Sequence, residues 1–376
     1  MSNEFWDFTL LDTGFFRSGQ PFHAGEGGYS RVNSCFPPSM NTLQGAIRST
    51  LAAARGWQPG RNWPEELGDA NNLGVLSLKG PFLIMEGTPI FPAPLNLLIK
   101  ELPENNSEIK PDIDTTFLVP GKKYSCDLGS EVFLPQKKEE LDGAHLPKNL
   151  YITPNGYKSI AKMESPHKHD LYFHDHLWCL EPRIGLKLSS ETRTAEDHNL
   201  YRISHIRPRK GLKIRVIVEG LAADWPKPKQ QIVPLGGEGR LAALEVTPTT
   251  ENHFEVMFPS VPKLKAKNKK IRYTITLITP AYGSEETLEK LTLKGPAAPG
   301  SCISACIGKP QFYGGWDLKN RKPRPLRPFL PPGSTWFLEA DESEKKNIER
   351  LHGSQIGKEK SAYGYGQILI GTWEVD

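Results

Sequence analysis

The chain has 376 residues, 38% of them apolar and 24% charged, and a net charge of +4 at pH 7. That balance excludes a disordered chain and predicts two or three domains with real cores; the mild basicity permits a nucleic-acid partner without demanding one. Five scattered cysteines (Cys35, Cys126, Cys179, Cys302, Cys306) exclude a disulfide framework, and the absence of any run of eighteen apolar residues excludes a membrane-spanning helix.

Acids at Glu4 and Asp7, with no basic-then-apolar segment, predict no signal peptide and a cytoplasmic protein, which leaves the sequon at Asn105 idle. Cys302 and Cys306 lie four apart and lack two further ligands for zinc, so all five cysteines read as small hydrophobes.

Residues 5–17 read as a strand ending near Gly14, followed by a Gly-rich loop at 24–30. Leu43, Ile47, Leu51 and Ala54 fall at helical spacing after candidate N-caps Ser39 and Asn41, and Gly56 stops the run. Residues 73–100 hold two or three short apolar runs broken by Pro and Gly. The stretch 101–178 is polar and poorly periodic, and reads as an insertion of loops and short elements rather than core. Residues 183–188 and 200–206 read as a strand pair. Further strands follow at 212–220, within 236–248 after a Gly turn, and at 271–280, 301–308, 334–340 and 367–373, with short helices at 285–293 and 343–351. Many strands and few helices predict an α+β fold with antiparallel sheets, without a clean internal repeat.

The tail GKEKSAYGYGQILIGTW (357–373) sets Lys358, Lys360, Tyr363 and Tyr365 around Gly364 and Gly366, just before a strand. Glycine permits positive φ and close approach of a ligand to bare N–H groups, lysine supplies charge for phosphate, and tyrosine offers a stacking face. The preceding Gly353-x-x-x-Gly357-Lys358 is one residue short of a P-loop, carries Glu359 where Ser or Thr must bind magnesium, and leads into a strand instead of a helix. Nucleotide hydrolysis is therefore excluded from it.

Basic residues gather in three runs. The first is Arg207, Arg209, Lys210, Lys213 and Arg215. The second is Lys263, Lys265, Lys267, Lys269, Lys270 and Arg272. The third is Lys319, Arg321, Lys322, Arg324 and Arg327, close to Phe312, Tyr313 and Trp316. Such runs are either solvated hairpin tips or, beside Gly turns and aromatics, the wall of a single-stranded nucleic-acid groove. His167, His169, His174 and His176 form two His-x-His pairs with Asp170 and Asp175 nearby; on a strand such pairs chelate a transition metal, and in a loop they are solvated.

Four segments occur in order: FPPSMNTLQGAIRSTL (36–51), EPRIGLKLSSETRTAEDHNLY (181–201), PLGGEGR (234–240) and SAYGYGQILIGTW (361–373). With the opening FRSGQPF (16–22), they resemble the repeat-associated mysterious proteins (RAMPs) of CRISPR systems, and more narrowly the third subunit of the type III-B Cmr effector. The resemblance spans Phe16 to Trp373, with unmatched insertions. It implies two ferredoxin-like domains, 1–205 with the insertion at about 101–178, and 206–376 with the Gly-rich tail. It further implies a non-catalytic scaffold that binds the 5′ handle of the guide RNA, docks on the large polymerase-type subunit beside a neighbouring RAMP backbone subunit, and needs no cofactor.

Carried onto this sequence, the resemblance points to Thr42, Gly45 and Arg48 in the helix and to Arg183, Gly185 and Arg193 in the middle run. It points also to Gly236, Gly237, Gly239 and Arg240 in the first Gly turn, and to Gly364 and Gly366 in the second. With Arg321, Arg324, Lys358, Lys360 and Tyr363 these make the candidate RNA-binding set. The same glycines also serve turn geometry, and Arg48 also suits a structural ion pair. Two enzymatic alternatives stay open. One is a metal-independent guide-processing ribonuclease with His23 or the 167–176 histidines as general base; the other is a metal-dependent hydrolase centred on those four histidines.

Overall fold

The computed structural model describes residues 2–17, 31–101, 113–126, 129–188, 195–249, 257–317, 322–357 and 361–373. The chain forms two compact units, one of residues 1–87, 175–249 and 312–327, the other of residues 88–174, 250–311 and 328–376. Each is assembled from three stretches, whereas the sequence reading placed a single boundary at 205/206. The architecture is α+β with antiparallel sheets and few helices, as expected from the sequence.

The first unit is built on an antiparallel sheet in the spatial order Gln230–Pro234, Leu241–Thr249, Ser2–Leu10, Leu212–Leu221, Ser77–Met85. Trp6, Phe8 and Leu10 alternate along their strand and are buried, as are Ile214, Val216 and Val218 on the neighbour. The helix Met40–Ala54 buries Met40, Leu43, Ile47 and Leu51, the face that its sequence spacing predicts. Gly56 ends it at φ +78°, where only glycine is unstrained. A second, smaller sheet pairs Trp178–Leu188 antiparallel with Ala195–Pro208, which lies parallel to Arg31–Asn33.

The second unit centres on Lys270–Leu277, flanked on one side by Thr335–Asp341 and then Ser301–Cys306, and on the other by Ile368–Thr372 and the short Ala266–Lys267. The helix Glu285–Lys294 is capped by the Ser284 hydroxyl, which accepts from the Thr287 N–H. It buries Leu288 and Leu291, and the Trp336 indole donates to the Leu291 carbonyl at 2.8 Å. From Lys270 onward its main elements therefore run strand, helix, strand, strand, short helix (Lys345–Arg350), strand.

Numbered along the chain, its four main strands lie in the order four, one, three, two. Strands Ser2–Leu10, Ser77–Met85, Leu212–Leu221 and Leu241–Thr249 of the first unit lie in the same order. The strand order is thus repeated, where the sequence showed two halves of similar order but no clean internal repeat.

The 101–178 reading needs correction. Ile113–Cys126 and Gly129–Lys137 form a long hairpin that pairs with Leu97–Glu101. Leu150–Ile152 is fully buried, and the helix Pro154–Ile160, capped by Thr153, buries Tyr157 and Ile160. The hairpin escaped notice because Pro120 and Gly121 interrupt its alternation at a register shift. A side chain on Gly121 would meet the Leu134 carbonyl at 2.7 Å.

Candidate nucleic-acid interface

The first unit gathers arginines around a glycine turn. From Pro234 the chain turns back on itself, with the Leu235 N–H donating to the Arg240 carbonyl at 2.9 Å and the Arg240 N–H to the Gly237 carbonyl at 3.2 Å. Gly236, Glu238 and Gly239 all hold positive φ, at +86°, +57° and +62°. The turn is pinned to the segment after the first strand, because the Gly237 N–H donates to the Phe15 carbonyl at 2.8 Å. Gly236 is required twice over: a Cβ there would lie 2.5 Å from that same carbonyl. Gly239 has open space around it, and its backbone faces solvent.

Asp12 is the hub of the charges beside this turn. It meets Arg207 at 3.0 Å, Arg240 at 3.3 Å and Arg183 at 3.7 Å. Glu181 pairs with Arg183 at 2.7 Å and also with Arg207. Three guanidiniums face two carboxylates and leave one positive charge over. Burial works against the Asp12 carboxylate, but the hydrogen bond from Arg207, the Thr13 N–H and the charges of Arg207 and Arg183 outweigh it and lower its pKa. Hydrogen bonds from Arg207 and then Arg183 lower that of Glu181.

Beneath the arginines lies a buried polar chain. Arg183 Nη2 donates to Thr13 Oγ1 at 3.3 Å, and that hydroxyl lies 3.0 Å from His205 Nδ1. His205 is fully buried and stacks on Phe15, ring centroids 5.3 Å apart. Burial first, then the charges of Arg183 and Arg240, lower its pKa and favour the neutral ring.

Magnitudes decide which arginines are available to a ligand. Arg215 holds Asp7 through two hydrogen bonds of 2.6 Å, with the Asp7 side chain only 6% exposed. Breaking such a buried pair costs about 3–5 kcal/mol. Asp12 is 51% exposed, and ion pairs in such water-facing positions are weak. Exchanging Asp12 for a phosphate oxygen is therefore cheap for Arg183, Arg207 and Arg240, and prohibitive for Arg215. Two more of the first basic run are engaged, Lys213 with Glu245 at 3.1 Å and Arg209 with the Asp175 carbonyl at 3.1 Å.

Of the sequence candidates, Arg183, Arg240, Gly236, Gly237 and Gly239 come together here. Arg48 has a different task. It is buried, donates to Gln44 at 3.0 Å and to the Asp69 carbonyl at 2.8 Å, and lies over the Trp63 ring. Arg324 donates at 3.2 Å to the next carbonyl, Ala70, so the two arginines hold one loop. Tyr363, Gly364 and Gly366 are buried in the second unit. Tyr363 lies against Tyr365 at 6.4 Å, and a Cβ on Gly366 would reach the Ile356 carbonyl at 2.3 Å. That tail turn is core rather than a phosphate loop. Arg193, Arg321, Lys358, Lys360 and His23 lie outside the described residues.

The four histidines occupy or flank short 3-10 turns, Lys168–Asp170 and His174–His176, instead of the strand that a chelating His-x-His needs. Among the described residues no group of three or more His, Cys, Asp or Glu side chains is placed to hold a metal ion. Asp12, Thr13, Glu181 and His205 were missed from the sequence. The usable signal was strand register, since Glu181 and His205 are direct cross-strand partners and Arg207 opposes Cys179.

The family described as CRISPR-associated protein (Cas_Cmr3) matches residues 6–373. The chain belongs to this family. It is accordingly a Cmr-type RAMP subunit of type III CRISPR systems. Among solved structures, a chain of the type III-B Cmr-beta assembly bound to cognate target RNA is similar at 15% identity and TM-score 0.52, covering 97% of this chain and 96% of that one. A chain of the same type of assembly with target RNA and AMPPnP is similar at 15% identity and TM-score 0.49, covering 92% and 88%. No curated protein matches the sequence. No helix among the described residues is long and apolar enough to cross a membrane.

Proposed function

We propose that this Cmr3-family chain is a non-catalytic, RNA-binding scaffold of a type III-B Cmr complex. It holds the 5′ handle of the guide RNA, docks on the large polymerase-type subunit and contacts a neighbouring RAMP backbone subunit. The observation that carries the RNA half is the set of Arg183, Arg207 and Arg240, loosely held by a half-exposed Asp12 beside the solvent-facing Gly237–Gly239 backbone. Guanidinium forks are donors that phosphate oxygens accept from, and the exposed turn lets a backbone approach them, although the Gly237 N–H is itself held by the Phe15 carbonyl. The similar Cmr-beta assembly is bound to cognate target RNA, which agrees with an RNA partner.

The docking half is supported by Leu180 and Ile184, 50% and 63% exposed on one face of an edge strand. The shared strand order of the two units supports two ferredoxin-like domains.

Incubating the purified chain with repeat RNA, with and without EDTA, tests the scaffold reading. The expected result is bound, intact RNA under both conditions. Specific cleavage that is lost on His23→Ala or on alanine substitution of the 167–176 histidines would sink it.

A further inference from the structure

The second unit carries a separate basic feature. From Pro262 the chain alternates: Pro262 and Leu264 are buried, while Lys263, Lys265 and Lys267 are exposed. Ala266–Lys267 then pairs with the start of Lys270–Leu277 through a two-residue turn, Asn268-Lys269. Both turn residues hold positive φ, +54° and +62°, the geometry of a type I′ hairpin turn, whose second position favours glycine. Here that position is Lys269, a side chain kept where the backbone would be more stable without one.

Lys270 and Arg272 are neutralised by Asp341 at 2.8 Å and Glu339 at 3.1 Å. Lys263, Lys265, Lys267 and Lys269 have no ion pair among the described residues.

We propose that these four lysines form a sequence-independent contact for the backbone of single-stranded RNA, on a different unit from the arginine cluster. In extended chain every second side chain recurs at about 6.6–6.8 Å, a spacing comparable with that of successive phosphates on an extended strand. Lysine is a point charge for phosphate, without base readout. The patch does not suit a protein partner, because protein interfaces are depleted in lysine and enriched in aromatic residues, and the exposed positions here are Lys, Ala and Asn.

The test is fluorescence anisotropy of the full chain with labelled oligo(U) that lacks any handle, so that failure here leaves handle binding at Arg240 untouched. Lys263→Ala, Lys265→Ala, Lys267→Ala and Lys269→Ala combined should weaken binding at low salt by about tenfold or more, and flatten the log–log salt slope by roughly 2–3. The fourfold Lys→Arg variant should retain binding. Lys269→Gly alone should weaken binding while leaving the melting temperature equal or higher, an outcome that a purely structural role does not produce. Wild-type affinity and slope in the fourfold alanine variant would overturn the proposal. So would polyglutamate binding as tightly as oligo(U) with the same lysine dependence, which would assign the patch to an acidic protein segment.

Discussion

Asp12 shows how little a residue's type says about its role before its neighbours are known. It sits just past an ordinary strand and draws three arginines, all distant in sequence from one another, to one point. Arg183 and Arg240 were legible because they lie in named segments, and Arg207 only as part of a basic run; Asp12 was not, because a single acid after a strand carries no periodic signal, nor was Glu181, whose role depends on strand register. If Asp12 only cross-braces the fold, removing its charge should leave RNA affinity unchanged or lower it. If it occupies the place of a phosphate, Asp12→Asn releases Arg240 and leaves Arg183 and Arg207 to share Glu181 alone. Affinity for handle RNA is then expected to rise several-fold, with a steeper salt dependence. An anisotropy titration of the two proteins side by side reads this directly. Arg48 teaches the reverse lesson: it was singled out on a matching segment, yet its helix turns it inward to Gln44 and the Asp69 carbonyl.

At the scale of elements, the amphipathic helix and most strands of both units were readable, because each has one buried face with a clear period. The hairpin from Ile113 to Lys137 was not, since Pro120 and Gly121 break its period. The two glycine turns look alike in sequence and differ in place. The turn at 236–239 is exposed and pinned to Phe15, while that at 364–366 is buried beside Tyr363 and Tyr365. Gly236→Ala therefore strains the backbone and drives a methyl group against the Phe15 carbonyl. It should lower stability by about 1–3 kcal/mol and reduce handle binding, because it lifts the turn away from the arginines. Urea denaturation beside an RNA titration separates the two effects. Gly239 is the control, with only its φ to satisfy and no neighbour in the way.

For the molecule as a whole, the repeated strand order was hidden by unequal connections. Between the second and third of the four strands the chain runs from Met85 to Leu212 in the first unit, and only from Cys306 to Thr335 in the second. The net charge of +4 is equally uninformative. Lys213, Arg215, Lys270 and Arg272 are paired with acids, so the charge that counts is local: one positive charge over at Asp12, and four lysines at the hairpin. The family match covers nearly the whole chain, but it does not say which face meets RNA. That assignment rests on exposure and exchangeability at Arg183, Arg207 and Arg240.

The measurement that tests this most directly is a titration of the wild-type chain and Arg240→Ala with RNA bearing the 5′ handle, repeated at rising salt. Loss of one charge-assisted phosphate contact should cost about 1.5–3 kcal/mol, roughly ten- to a hundredfold in affinity, and flatten the salt slope by roughly 0.7. Unchanged affinity and slope, in a variant with unchanged melting temperature, would contradict the placing of the guide handle at the Asp12–Arg240 turn.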